Sequence, residues 1–183
     1  MELFNVTKVT QQPTYDAVSV QPMRDELTAV GCKELLTPED VDKALGRQDD
    51  KTVFVVLNSV CGCSAGSARP AVMVALQNGI IPDELYTLFG GMEKDAVDLY
   101  RSKYLPNYIP SSPGIALFRN GEPVAIFQRS DIEKHTADSI SKELVSIFNQ
   151  ECNNTGPSIS AKDFENVTKG KYGCYTDRSK VKE

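Results

Sequence analysis

The chain has 183 residues, 40% of them apolar, and a formal net charge of -5. That length holds one domain with modest appendages, and the slightly low apolar share points to polar segments outside the core. The acidic balance gives no electrostatic footprint for nucleic acid or an anionic membrane, and no apolar run is long enough to span a bilayer.

Residues 1–20 carry no strong periodicity and lack the basic start, apolar stretch and small-residue cleavage site of a secretory signal, so the cytoplasm is the expected compartment. From Pro22 to Val30 apolar residues recur at helical spacing, and Gly31 follows as a stop. Thr37-Pro38-Glu39-Asp40 has the composition of a helix start, with Thr37 able to cap, and that short helix ends near Gly46. Thr52 to Leu57 is a continuous β-branched and apolar run, as expected of a strand buried on both faces. A helix is expected over 64–78, with Pro70 kinking it and Gly79 closing it. Leu85 to Phe89 reads as a second buried strand and Met92 to Tyr104 as a helix. Gly114 to Phe118 and Val124 to Phe127 form a hairpin across Arg119-Asn120-Gly121-Glu122, because Asn-Gly readily takes positive φ at both central positions. A last helix runs from Ala137 to Phe148. From Asn153 onward polar residues dominate, and a loosely attached or disordered tail is expected. The expected plan is an extension (1–20), one α/β domain (21–152) and a polar tail (153–183).

Five cysteines occur, at Cys32, Cys61, Cys63, Cys152 and Cys174. An odd number without an export signal argues against a structural disulfide framework. Cys61-Gly62-Cys63 stands where a buried strand meets a helix. The free N–H groups and partial positive charge of a helix start stabilise a thiolate, which makes Cys61 the candidate nucleophile. Cys63, two residues on, is close enough to resolve a mixed disulfide, and Gly62 lets the backbone tighten. Two buried free thiols are the plainer reading of the same pair. A soft metal or an iron–sulfur cluster is the third, with Cys152, Cys174 and His135 as the only obvious further ligands. Cys32 is expected to be buried and structural. His135, in the loop after Phe127, reads either as a proton donor to a leaving thiolate or as a surface histidine. Arg69 reads as a source of positive potential or as a solvated helix arginine.

Strand, helix, strand, helix, hairpin and helix, in that order, make up the arrangement of the thioredoxin-like fold: a central mixed β-sheet flanked by helices. In that fold a cis-proline precedes the third strand and faces the reactive cysteine. Ser111-Ser112-Pro113 stands there, eight residues before Gly121, and a cis Ser112–Pro113 bond is expected. Ser112, Pro113 and Gly62 are the candidate substrate-binding residues. Topology also puts Cys152, at the far end of the last helix, on the opposite side of the domain from Cys61, where it is dispensable for a first exchange step. It could pair with another chain or with Cys174.

Three segments carry a more specific resemblance: Asn58 to Pro70 with its Cys-Gly-Cys, Pro22-Met23-Arg24-Asp25-Glu26-Leu27-Thr28, and Pro110-Ser111-Ser112-Pro113. Together they resemble the bacilliredoxins, a thioredoxin-fold family, over about residues 20–152. The resemblance implies a thiol–disulfide oxidoreductase that reduces mixed disulfides between proteins and bacillithiol, a low-molecular-weight thiol. Cys61 would accept bacillithiol and Cys63 would resolve. Bacillithiolated proteins would be the substrates and a thiol or flavoprotein reductase the recycling partner, with no bound cofactor or metal. Cys152 matches a cysteine that this family often carries. The N-terminal extension and the tail after Cys152 are longer than the family core.

Overall fold

The computed structural model describes residues 10–169. Its first helix, α1 (Ala17–Thr28), starts upstream of the expected position because Asp16 caps it, its side chain accepting the Ser19 N–H, while Val20 and Leu27 turn inward. Pro22 therefore lies inside the helix rather than at its start. Gly31 follows at φ +99°, a left-handed conformation open to glycine. The two-residue strand β1 (Lys33–Glu34) comes next and is too short for any sequence pattern to reveal. Helix α2 (Pro38–Leu45) begins as expected, Thr37 and Asp40 completing a capping box.

Strand β2 (Thr52–Asn58) is buried along its whole length. The helical region after it is split. A π-helical turn, Ser64–Ala68, leads into α3 (Arg69–Ala75). The Arg69 N–H reaches back five residues to the Ser64 carbonyl. Pro70, which has no N–H and would press on the carbonyl four residues back, is thus met by a widened turn. The chain continues through β3 (Ile80–Ile81), β4 (Glu84–Phe89) and α4 (Lys94–Leu99), which widens into a second π turn over Tyr100–Tyr104. Strands β5 (Gly114–Arg119) and β6 (Glu122–Phe127) form the hairpin, with Asn120 at φ +53° and Gly121 at +79° as the turn requires. A short helix α5 (Arg129–Ile132) precedes α6 (Ala137–Glu151).

The sheet order is β1-β4-β2-β5-β6. Strands β2 and β4 are parallel, whereas β5 runs antiparallel to β2 and to β6. This is the expected thioredoxin-like arrangement, with one added edge strand. Alternation along β2 feeds two cores. Phe54 and Val56 face α1, α3 and α6, where the Phe54 ring meets Phe148 edge-on at 5.2 Å. Val53, Val55 and Leu57 face α2 and α4. Arg24 of α1 pairs with Glu34 and Glu93 over the Phe89 ring, pinning α1 to the edge of the sheet.

The segment after Cys152 corrects one expectation. Rather than trailing away, it forms β7 (Asn154–Thr155), paired with β3, and then α7 (Ala161–Thr168). Phe164 is buried in the same core as Phe54 and Phe148. A Ser160 cap, its hydroxyl accepting the Asp163 N–H, starts α7. Residues 170–183, and Cys174 with them, lie outside the described residues. No helix among the described residues is long and apolar enough to cross a membrane.

Candidate active site

The cysteine pair sits where β2 ends. Asn58 closes the strand and is 1% exposed. Its amide donates to the Met23 carbonyl, and its Oδ1 accepts from the Ser59 N–H, the Ser64 hydroxyl and the Arg69 guanidinium. Arg69 is not a solvated helix arginine. It is 3% exposed, its Nε donates to Glu26 at 2.8 Å, and it also donates to the Ser59 carbonyl and the Ser64 hydroxyl. Residues 59–64 are therefore tied from beneath at three points, with the cation neutralised by Glu26 of α1. Burial of this arginine depends on partners far apart in the chain, so its own neighbours in sequence give no sign of it.

Above this floor the chain turns. The N–H groups of Ser64 and Ala65 donate to the Cys61 carbonyl, and the Ser64 N–H also points at Cys61 Sγ, 3.4 Å away. The two sulfurs, both free thiols, lie 2.7 Å apart and are partly exposed. Burial alone would raise the Cys61 thiol. Hydrogen bonds from Cys63, Ser59 and the Ser64 N–H, together with the charge of Arg129, outweigh it and hold Cys61 below its ordinary value. Cys63 moves up, through burial first and then through its hydrogen bond to Cys61 and repulsion from it. The pair is thus asymmetric in the direction expected of a nucleophile and a resolving thiol.

Gly62 is exposed, and an added Cβ would meet nothing within 4 Å. The glycine leaves the surface beside the thiols bare. The Ser112–Pro113 bond is cis, as expected, and Pro113 is buried. Because Gly114 pairs with Leu57, the cis bond falls level with the end of β2 from which the cysteines emerge. Gly90 allows this approach: a Cβ there would press on Ser112 at 3.2 Å and on the Asn58 carbonyl at 3.3 Å. The loop after β6 returns to the same end, as expected. It brings Arg129, whose N–H donates to the Ser111 hydroxyl.

His135 is exposed, with Nδ1 2.6 Å from the Asp131 carbonyl, and its own carbonyl accepts from Ser67. No contact carries its ring to either thiol. Cys152 is buried beside Thr52, the first residue of β2. The strand's length, roughly 20 Å at about 3.3 Å per residue, separates it from the Cys61 end. Cys32 is buried under α1. No cluster of three or more His, Cys, Asp or Glu suited to a metal occurs among the described residues.

Two solution results follow from these surroundings. Burial pushes Cys32 up to about 12 and Cys152 up to about 11. Brief iodoacetamide treatment of native protein at neutral pH should therefore label Cys61 first and spare Cys32 and Cys152 until urea is added; peptide mapping reads the pattern. The second is a pH profile. Alkylation of Cys61 in wild-type protein, followed by peptide mapping, should rise to a plateau with a midpoint below that of the same thiol in urea-unfolded protein. Removing the charge with Arg129→Gln moves that midpoint upward, because a nearby cation favours the thiolate. The displacement shrinks at high salt, since Arg129 is exposed.

A family model described as "Disulphide isomerase" matches residues 15–152. A bacilliredoxin of Salinibacter ruber is 46% identical over 147 residues, which is 80% of this chain and 86% of the relative. A bacilliredoxin of Halalkalibacterium halodurans is 44% identical over 133 residues, 73% of this chain and 91% of the relative. A solved thioredoxin from Malassezia sympodialis superposes at a TM-score of 0.44 with 13% identity, covering 66% of this chain and 90% of its own.

Proposed function

The chain belongs to the bacilliredoxin family, and from that premise we propose that it reduces mixed disulfides between cytoplasmic proteins and bacillithiol or a similar low-molecular-weight thiol. Thiol–disulfide oxidoreduction is the general activity; the substrate and the division of labour between the cysteines are the proposal.

The Cys61 thiolate attacks the low-molecular-weight sulfur of the mixed disulfide. The bond between that sulfur and the protein sulfur breaks, the protein thiolate leaves and takes a proton from water, and a disulfide joins Cys61 to the small thiol. Cys63 then loses its proton to solvent and attacks Cys61 Sγ, releasing the small thiolate and leaving a Cys61–Cys63 disulfide. The pair has now given up two electrons. A thiol or flavoprotein reductase returns them. Gly62, Ser112 and Pro113 provide the surface on which the incoming disulfide lies.

The observation that carries this reading is the pair of free thiols 2.7 Å apart at the end of β2, with Cys61 Sγ facing the Ser64 N–H. The test uses a reporter protein with one cysteine capped by bacillithiol and a second sample capped by glutathione. Release of the cap, followed by intact mass, is expected from both and faster from the bacillithiol form. Release from neither would overturn the proposal.

A further inference from the structure

Among the described arginines, Arg24, Arg47, Arg69, Arg119 and Arg129 each meet a carboxylate. Arg101 does not. It lies at the start of the second π turn and is half-buried. One terminal nitrogen donates to the Ser111 carbonyl at 3.0 Å. Its Nε is buried and has no hydrogen-bond partner. The nearby acid, Asp98, accepts instead from the Gln11 amide. A half-buried guanidinium with no carboxylate in contact, and with one buried donor unspent, is costly unless an anion completes it.

The place for that anion exists. Arg101 lines a pocket of about 30 Å³ together with Tyr108, Ile109, Ser111, Gly114 and Gln128. Such a volume holds about two waters or one carboxylate head. The pocket adjoins the reactive end of the sheet. Ser111 is shared between them, its carbonyl held by Arg101 and its hydroxyl by the N–H of Arg129. The segment Ser111-Ser112-Pro113 thus leads from the Arg101 pocket to the end of β2 from which the cysteines emerge. The lining is otherwise largely apolar, so an ionic contact there is stronger than it would be in water.

We propose that the pocket beside Arg101 seats a carboxylate of the low-molecular-weight thiol, whose sulfur then lies across the Ser111–Pro113 segment facing Cys61. This deepens the exchange reading and rests on it. The guanidinium fork, rather than a point charge, matches a carboxylate through two parallel hydrogen bonds. The enzyme would then select disulfides by the charge carried a short chain away from sulfur.

The test compares two small disulfides of similar length, 3,3′-dithiodipropionate, which carries carboxylates, and hydroxyethyl disulfide, which carries none. Wild-type protein is expected to favour the first by about tenfold in kcat/KM, equivalent to about 1.4 kcal/mol at the constant for a tenfold ratio. Arg101→Met should bring the ratio close to one through KM, and Arg101→Lys should fall between. No preference in the wild type, a ratio unchanged by Arg101→Met, or an equal fall with both disulfides would overturn the assignment. Binding is read separately in Cys61→Ser protein by the NMR signal of the Arg101 Nε–H. A shift with dithiodipropionate and none with hydroxyethyl disulfide supports the pocket, even where exchange is absent. A missing shift overturns the pocket, whatever the exchange rates show. The shift together with no turnover of either disulfide by the wild type would overturn only the exchange reading.

Discussion

Cys61→Ser is expected to lower the rate of mixed-disulfide reduction by about 10³-fold or more, equivalent to about 4 kcal/mol of barrier. The thiolate is the nucleophile, and a serine hydroxyl stays protonated at neutral pH and cannot replace it. The surroundings of residue 61 remain intact in such a variant, because its turn is made by backbone. The Ser64 and Ala65 N–H groups both bond to the carbonyl of residue 61, and only the long contact from the Ser64 N–H also reaches its side chain. Unfolding stability should therefore change little while activity collapses. Cys63→Ser should behave differently. The first exchange proceeds, and the adduct on Cys61 accumulates because no thiol remains at 2.7 Å to displace it. Single-turnover kinetics with stability measured in parallel separates the two variants.

The second large effect concerns the floor beneath the site. Arg69→Met keeps much of the volume and removes the charge. Asn58 Oδ1 loses one of its three donors, while the Ser59 carbonyl and the Ser64 hydroxyl lose the guanidinium. Breaking a buried pair by removing one partner costs about 3–5 kcal/mol. Glu26 is 30% exposed on its side chain and can be partly solvated, so a loss of about 2–3 kcal/mol is expected. For a domain of this size that is a fall in Tm of roughly 5–10 °C. Exchange activity should drop as well, because the loop holding Cys61 is anchored through the same groups. Urea unfolding with a midpoint shift and an unchanged slope would agree; a loss below about 1 kcal/mol would show that Arg69 is not the anchor.

The sheet and its hairpin were legible because their signals are local. Thr52 to Leu57 is an unbroken apolar run, and Asn120-Gly121 prescribes its own turn. The placing of Cys61 and Cys63 at the end of β2 followed from the same run, and the position of Pro113 from its distance to Gly121. The separation of Cys152 from Cys61 needed only the direction of α6. What stayed hidden depends on tertiary partners. Strand β1 has two residues and exists only as the parallel neighbour of β4. The burial of Arg69 is decided by Glu26 and Asn58, neither of them adjacent in sequence. Arg101 gave no local signal, since what singles it out is the lack of a carboxylate beside it once the chain is folded. The packed segment after Cys152 is hard to read for a simpler reason. Its polar composition offers Phe164 as the one large apolar side chain that it buries, and the Ser160–Asp163 cap marks the start of α7.

Which cysteine strikes first decides the mechanism. The direct measurement incubates Cys63→Ser and Cys61→Ser proteins separately with one equivalent of a low-molecular-weight disulfide at neutral pH, then follows intact mass and maps the modified peptide. Rapid addition of one thiol is expected in Cys63→Ser protein, located on Cys61, with slow or no addition in Cys61→Ser protein. Equal or faster addition at Cys63 in the Cys61→Ser protein would contradict this order.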